Sequence, residues 1–427
     1  MLRITYSLLL VCLMPVIVMR LAWRAVRQPG YLRNVGERFG IGVPAMRPGS
    51  LWLHAVSVGE MRAAEPVIKR LLAAFPDKSI YLTCMTPTGR ETANELFGRQ
   101  TNVRIAYLPY DLAPLQKRVI GRIRPAMLVV METEIWPNLL AACNSGGVPV
   151  WLANARLSQR SLEAYQRFSP VRALIFRAVA TLRGTAAQTP ADANRLGLLG
   201  ARHPVVTGNV KFDVQPDASL AAMGSGWRQK MTGPRRVLLA ASTRDGEELP
   251  LLRAFQSQFA GQPDNDVLLV LVPRHPQRFN EVARLVEQLG LRLQRRSLDE
   301  AIQPQTDVWL GDSMGEMAGY IAMCDLAFVG GSLLPLGGQN LIEACAQGKP
   351  VLMGPSVFNF ADAARMAGEC GALQQADDAE GVMQLASALL RDDTRRAAMA
   401  AAGREFTRAH AGASDRLLAL LSADIRA

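Results

Sequence analysis

The chain has 427 residues, 49% of them hydrophobic and only 20% charged, which excludes a disordered protein and is too long for one ordinary core. Its formal net charge of +11 suits an anionic small molecule or an anionic membrane surface; with aromatic residues at 6% and no nucleic-acid motif, nucleic acid is the weakest partner. Six cysteines without a C-x-x-C pair and four scattered histidines give neither a disulfide framework nor a zinc framework, so the cysteines read as reduced core residues of a cytoplasmic protein.

In chain order, the first feature is Ile4 to Met19, ITYSLLLVCLMPVIVM, the one segment able to enter a bilayer. As a helix it extends about 24 Å, short of a hydrocarbon core of about 30 Å, and Trp23 could sit at the interface. Arg20, Arg24, Arg27, Arg33 and Arg38 follow it whereas Arg3 alone precedes it, so the bulk of the protein is expected in the cytoplasm. Arginines stand where a cleavage site would need small residues. Residues 1–27 are therefore expected to be a membrane anchor, spanning or interfacial.

LWLHAV (51–56) reads as a strand, SVGE as a turn, and a helical pattern begins near Met61. Glu60 opens that helix either as a partner of the helix dipole or as a general base held at a strand end. Strand patterns recur at 79–85, 103–111, 125–134, 148–158, 182–187 and 204–207, with helical stretches between them. Such alternation predicts a parallel sheet covered on both faces. Polar residues cluster just after the strands: Thr86 to Gly89, Glu132 with Glu134, and Asn154 with Arg156. A polar, Pro- and Gly-containing stretch then suggests an interdomain linker at 208–232, between domains at 28–207 and 233–427. Lys211 lies at its start, either at a functional junction or as a solvated lysine.

A second alternating series starts at 235–243. The strand from Val267 runs into P-R-H-P-x-R-F, which places Arg274 for a phosphate, with Arg278 as a second candidate. Asp264 and Asp266 form D-x-D on the opposite strand edge and read as loop. VWLGDSMGEM (308–317) offers Gly315 and Glu316 at a helix start, with a Ser313–Glu316 capping box as the plain alternative. AFVGGSLLPLGGQNLIEACAQGKPVLMGP (327–355) is a strand, a glycine-rich loop, a helix of about two turns and a strand. Gly337 and Gly338 permit positive φ or close approach. Asn340 caps the helix, where free N–H groups would favour an anion. Glu343 is placed for ribose hydroxyls, or closes a capping box with Asn340.

Taken together, LHAVSVGE, CMTPTG, YLPYDL, METEIWPN, NARLS, GNVKFD, LVPRHPQRF, GDSMGEM, FVGGSLLPLGGQN with NLIEA, and PVLMGPSVFNF resemble, in this order, the bacterial 3-deoxy-D-manno-octulosonic acid (Kdo) transferases of glycosyltransferase family 30. The resemblance implies an α/β protein of GT-B architecture, two Rossmann-like parallel-sheet domains facing a central cleft, acceptor-binding at 28–207 and nucleotide-sugar-binding at 233–427. It implies transfer of Kdo from CMP-Kdo to a lipid A precursor at the cytoplasmic face of the inner membrane, with inversion and with no metal or other cofactor. Glu60 is implied as base, with Glu132 and Lys211 assisting. Pro273, Arg274, Met314, Gly315, Glu316, Asn340, Leu341, Ile342 and Glu343 are implied to hold the nucleotide. GDSMGEM stands where the family usually has a threonine and a leucine, and LLPLGGQN where charged residues and a histidine often occur; the glycines and the Asn340–Glu343 spacing are kept.

Overall fold

The computed structural model describes residues 1–231, 235–260 and 266–426. Residue 232 of the expected linker and Asp264 of the D-x-D pair lie outside them. The chain divides into two compact units, Met1–Val214 with Ala411–Ala427, and Gln215–His410.

The first unit is built on strands β1 (Ser50–His54), β2 (Ile80–Cys84), β3 (Val103–Tyr107), β4 (Pro125–Met131), β5 (Val150–Ala155), β6 (Gly184–Ala187) and β7 (Val205–Val206). They form one parallel sheet in the order β3-β2-β1-β4-β5-β6-β7. Helices cover both faces, which is why runs such as Met127–Met131 are apolar at every position instead of alternating. Trp52, Tyr81, Leu128 and Val130 point to one face and pack with Leu139 and Ile175. Leu51, Leu53, Leu82 and Val129 point to the other and meet Val67 and Ile68 of the Val58–Ala74 helix.

That second face is completed from the far end of the sequence. The Ala413–Arg426 helix buries Leu417, Leu421 and Ile425 there. Asp415 accepts from Arg70 Nε at 2.5 Å, and Asp424 accepts from Trp151 Nε1 at 2.8 Å. The second domain expected at 233–427 therefore stops near His410. The stripe of Leu417, Leu421 and Ile425 marks this helix as covering a core but does not say which sheet.

The second unit has β8 (Arg236–Thr243), β9 (Val267–Pro273), β10 (Leu293–Arg295), β11 (Val308–Leu310), β12 (Leu326–Val329), β13 (Val351–Met353) and β14 (Leu373–Gln375). This sheet is also parallel, in the order β10-β11-β9-β8-β12-β13-β14. Most of the expected linker is ordered. Val210–Asp213 is a 3-10 turn of the first unit, and Ala218–Lys230 is a helix of the second. Gly224 of that helix lies so close to the Met317–Met323 helix that a Cβ on it would fall 2.0 Å from the Gly319 carbonyl oxygen. Trp227 packs beside it on Trp309 and Tyr320.

Candidate active site

Each sheet has a central position where the strand order reverses, and ligands of open α/β sheets bind outside the strand ends at such positions. In the first unit it falls between β1 and β4. The loops leaving these strands carry Glu60 and Glu132, and with Thr133, Glu134, Arg156, Ser158, Ser161 and Tyr165 they line a recess of about 290 Å³.

Glu60 is at the third position of the Val58–Ala74 helix, whose N-cap is Ser57. Val56 N–H donates to Glu60 Oε2 at 2.8 Å and Ser57 Oγ donates to Oε1 at 3.1 Å, while Ser57 Oγ accepts from Glu60 N–H at 3.4 Å. The helix-start contacts thus exist, and they hold the carboxylate in one rotamer at the recess. Burial pushes the Glu60 carboxyl up to about 7; the Val56 N–H opposes the rise, and the charges of Glu132 and Glu134 add to it. His54, which ends β1, is fully buried with Nδ1 3.0 Å from Thr83 Oγ1, and burial lowers its pKa to about 4. Of these two groups, Glu60 is the one whose basicity matches proton removal near neutrality.

Glu132 has φ +55° and Asn154, which follows on β5, has φ +54°. Left-handed conformations at non-glycine residues cost free energy, and here they fall at the strand ends around the recess. Lys211 Nζ donates to Glu132 Oε1 at 3.0 Å, which places Lys211 in the first unit beside Glu132. Its turn is held at both ends. Asn154 Oδ1 accepts from Val210 N–H at 3.1 Å, and the Asp213 carboxylate accepts from the N–H groups of Gly412 and Ser414, each at 2.5 Å. Ser158, Ser161 and Tyr165 were not legible as lining residues, because the Gln159–Gln166 helix presents mostly exposed polar side chains.

In the second unit the reversal falls between β8 and β12. Arg244 follows β8 and Arg274 follows β9, where its N–H donates to the Thr243 carbonyl at 2.9 Å. His275, next in sequence to Arg274, is pushed below its usual pKa, by burial first and then by the charges of Arg244, Arg274 and Arg278. Arg278 is engaged by carboxylates, Asp245 at 2.5 Å, Glu281 at 3.0 Å and Glu248 at 3.1 Å, and so is a poorer phosphate candidate than its spacing suggested. Arg244 is a residue the sequence reading missed, although it directly follows β8.

The glycine-rich loop opens with three main-chain donors that are already engaged. The N–H groups of Gly331, Ser332 and Leu333 do not stand open for an anion: they donate to the buried Glu247 carboxylate at 2.6–2.9 Å, which also accepts from Arg244 N–H at 2.8 Å. Gly337 and Gly338 adopt φ +86° and +73° as their positions require. The following helix is Ile342–Ala346, five residues and not two turns, with Leu341 at its start. Asn340 Oδ1 accepts from Ile342 N–H at 3.1 Å and Asn340 Nδ2 donates to Glu343 Oε1 at 2.9 Å, so capping contacts form between this pair. Met314 is exposed and Gly315 has φ +81°. Glu316 accepts from Ser313 Oγ at 2.5 Å and from Arg296 Nη2 at 3.1 Å. Pro273 ends β9 and is buried.

Two Rossmann-like units, each with polar residues at its central strand reversal, give an α/β fold of the GT-B class. The same fold is seen in UDP-GlcNAc 2-epimerase from Neisseria meningitidis bound to UDP-GlcNAc, at TM-score 0.60 and 14% identity over 87% of this chain and 99% of that one. A glycosyltransferase from Rickettsia africae gives TM-score 0.57 and 12% identity over 89% and 99%. Epimerase and transferase share this fold, so the sequence relatives decide between them. Residues 33–214 match the family model described as 3-deoxy-D-manno-octulosonic-acid transferase (kdotransferase). The chain is 42% identical to the 3-deoxy-D-manno-octulosonic acid transferase of Bordetella pertussis, over 97% of this chain and 98% of that protein. It is 36% identical to that of Haemophilus influenzae, over 97% and 96%. The chain belongs to the 3-deoxy-D-manno-octulosonic acid transferase family, and it is a glycosyltransferase.

Proposed function

We propose that this transferase moves Kdo from CMP-Kdo to a lipid A precursor with inversion at the anomeric carbon, Glu60 acting as general base. The observation that supports this reading most is a carboxylate at the first strand reversal, raised to about 7 and lining a recess. In the reaction, the acceptor hydroxyl gives its proton to Glu60 as its oxygen attacks the anomeric carbon. The bond from that carbon to the CMP phosphate breaks, and its electron pair leaves on the phosphate oxygen. Glu132, paired with Lys211, keeps negative charge near Glu60 and so maintains its basicity. The first unit is read as the acceptor side. The second is read as the donor side, where Arg274 and Arg244 meet the leaving phosphate in place of a metal. Pro273, Met314 to Glu316 and Asn340 to Glu343 frame the nucleotide. The work is placed at the cytoplasmic face of the inner membrane. Purified protein given labelled CMP-Kdo and a lipid A precursor should yield Kdo-lipid and CMP in equal amounts; free Kdo or an epimerised sugar instead would overturn the reading.

Two further results are expected. The single-turnover rate should rise with pH along a one-proton limb centred near 7, because the base must be ionised. Stability should run the other way. The folded protein holds this proton more tightly than the unfolded chain, so the Glu60 contribution is full below 4.5 and is lost as pH rises through about 7. A rate limb that stays in place in Glu60→Gln would assign it to another group.

Arg274→Ala should weaken CMP-Kdo binding by about 10- to 100-fold, the range of a charge-assisted hydrogen bond of about 1.5–3 kcal/mol, with little change in melting temperature. Unchanged donor affinity by calorimetry would remove Arg274 from the site.

A further inference from the structure

We infer that the Leu2–Arg27 helix lies along the membrane surface, docked side-on to the first unit, and does not cross the bilayer. Length and apolarity alone are compatible with crossing. The pattern of exposure is not. Leu2, Tyr6, Leu10, Met14 and Ile17 are partly covered and Leu21 and Ala25 are buried; spaced by three or four, they form one stripe from end to end. Ile4, Leu8, Leu9, Val11, Val16, Val18, Met19 and Trp23 remain exposed. One apolar side of the helix therefore rests on protein and the other is left for lipid.

Both ends are fastened. Near the start, Tyr6 Oη donates to Asp111 Oδ2 at 3.1 Å and Asn138 Nδ2 donates to Ser7 Oγ at 2.9 Å. Asp111 is buried and also accepts from the N–H groups of Asn138 and Leu139. Near the finish, Leu21 and Ala25 are buried, and the turn that follows lays Gly30 against Pro87. The helix also touches the Pro137–Ser145 and Ser169–Val179 helices. A helix crossing about 30 Å of hydrocarbon can touch a domain outside the bilayer only through its last turns. This one touches its domain at both ends.

Charge identifies the occupant of the open side as an anionic bilayer. Arg3 lies at one end of the helix, Arg20 and Arg24 at the other, all exposed. On the adjoining segment Phe168, Arg172 and Phe176, four residues apart and exposed, extend an apolar and basic surface suited to lipid head groups and upper acyl chains. Asp111, Asn138 and Pro87 all follow the carboxyl ends of strands, the edge at which Glu60 lies. On the lipid-acceptor reading given above, an acceptor keeping its acyl chains in the leaflet would meet the recess from that edge.

The test uses the full chain bound to preformed sealed vesicles containing phosphatidylglycerol, and a membrane-impermeant maleimide added outside. Cys12 and Cys370 are the exposed cysteines among the described residues. With Cys12→Ser as background, Arg3→Cys should be labelled to the same extent as Cys370 without detergent, and Thr5→Cys gives a second position should the first disturb binding. Cysteines at 3 and 5 that are labelled only after detergent, while Cys370 is labelled before it, would establish a crossing helix and overturn the inference. Failure of the protein to float with the vesicles would overturn it too, leaving a protein partner for the apolar face. Turnover of detergent-dispersed acceptor, measured separately, tests the catalytic reading and does not depend on either labelling result.

Discussion

Glu60→Gln is expected to lower the single-turnover rate by about 10²–10⁴, the usual contribution of a positioned general base. The amide keeps the shape of the carboxylate and can still accept from Val56 N–H, and the N-cap bond from Glu60 N–H to Ser57 Oγ uses main chain only at this residue. The loss should therefore appear in the chemical step, with donor affinity retained because the donor is assigned to the other unit. A purely structural role makes a different forecast: near-normal turnover and about 0.5–2 kcal/mol of stability lost with the helix start. The raised pKa sharpens the contrast. Above pH 7 the wild-type protein carries a charge that burial disfavours, which the amide does not, so the variant should melt no lower than wild type at pH 8. A variant turning over within a few-fold of wild type would sink the assignment of Glu60 as base.

Glu247→Ala is expected to produce the largest loss of stability. One buried carboxylate satisfies four main-chain N–H groups, those of Arg244, Gly331, Ser332 and Leu333. An orphaned buried donor costs about 1–3 kcal/mol, and water entering the vacated space recovers part of that. A net loss of several kcal/mol is large against the 5–15 kcal/mol that holds a typical protein folded. At about 2–4 °C per kcal/mol for a unit of this size, the melting temperature should fall by roughly 10 °C. CMP-Kdo affinity should fall as well, since Arg244 and the glycine-rich loop lose their common tether. Glu247→Gln keeps one acceptor oxygen but points N–H groups at N–H groups, so it should recover little. Melting within two or three degrees of wild type, set against the same per-degree scale, would mean that the loop is held by something else.

What the sequence made legible follows the physics of each element. Buried parallel strands are continuous apolar runs, so β1, β4, β8 and β9 could be located, and the polar residues at their ends with them. The edge strands β10 and β14 were invisible, because Leu293–Arg295 and Leu373–Gln375 are three residues each and largely polar. Glu60 stood out because a carboxylate just after a strand is conspicuous. Glu247 did not, since nothing in RDGEEL says that its side chain turns back to collect amide hydrogens from a loop more than eighty positions away. The short Ile342–Ala346 helix was overestimated because NLIEACAQ has helical composition, yet Asn340 and Leu341 stay outside the helix, and Gly348 at φ +65° follows its end.

The return of residues 411–427 to the first unit carries a consequence for how the protein is made. The second unit is in effect an insertion within the first, entered after Val214 and left after His410. During synthesis the first unit emerges first yet lacks one wall: Ala413, Leu417, Leu421 and Ile425, which share a core with Leu51, Leu53 and Val129, are made only after the second unit. The second unit, begun later, has its whole sheet available before those residues leave the ribosome. The usual N-to-C order of domain maturation is therefore inverted in this chain. A stop codon placed just before Ala413 should leave the Gln215–His410 unit intact and expose the core of the unit that was translated first.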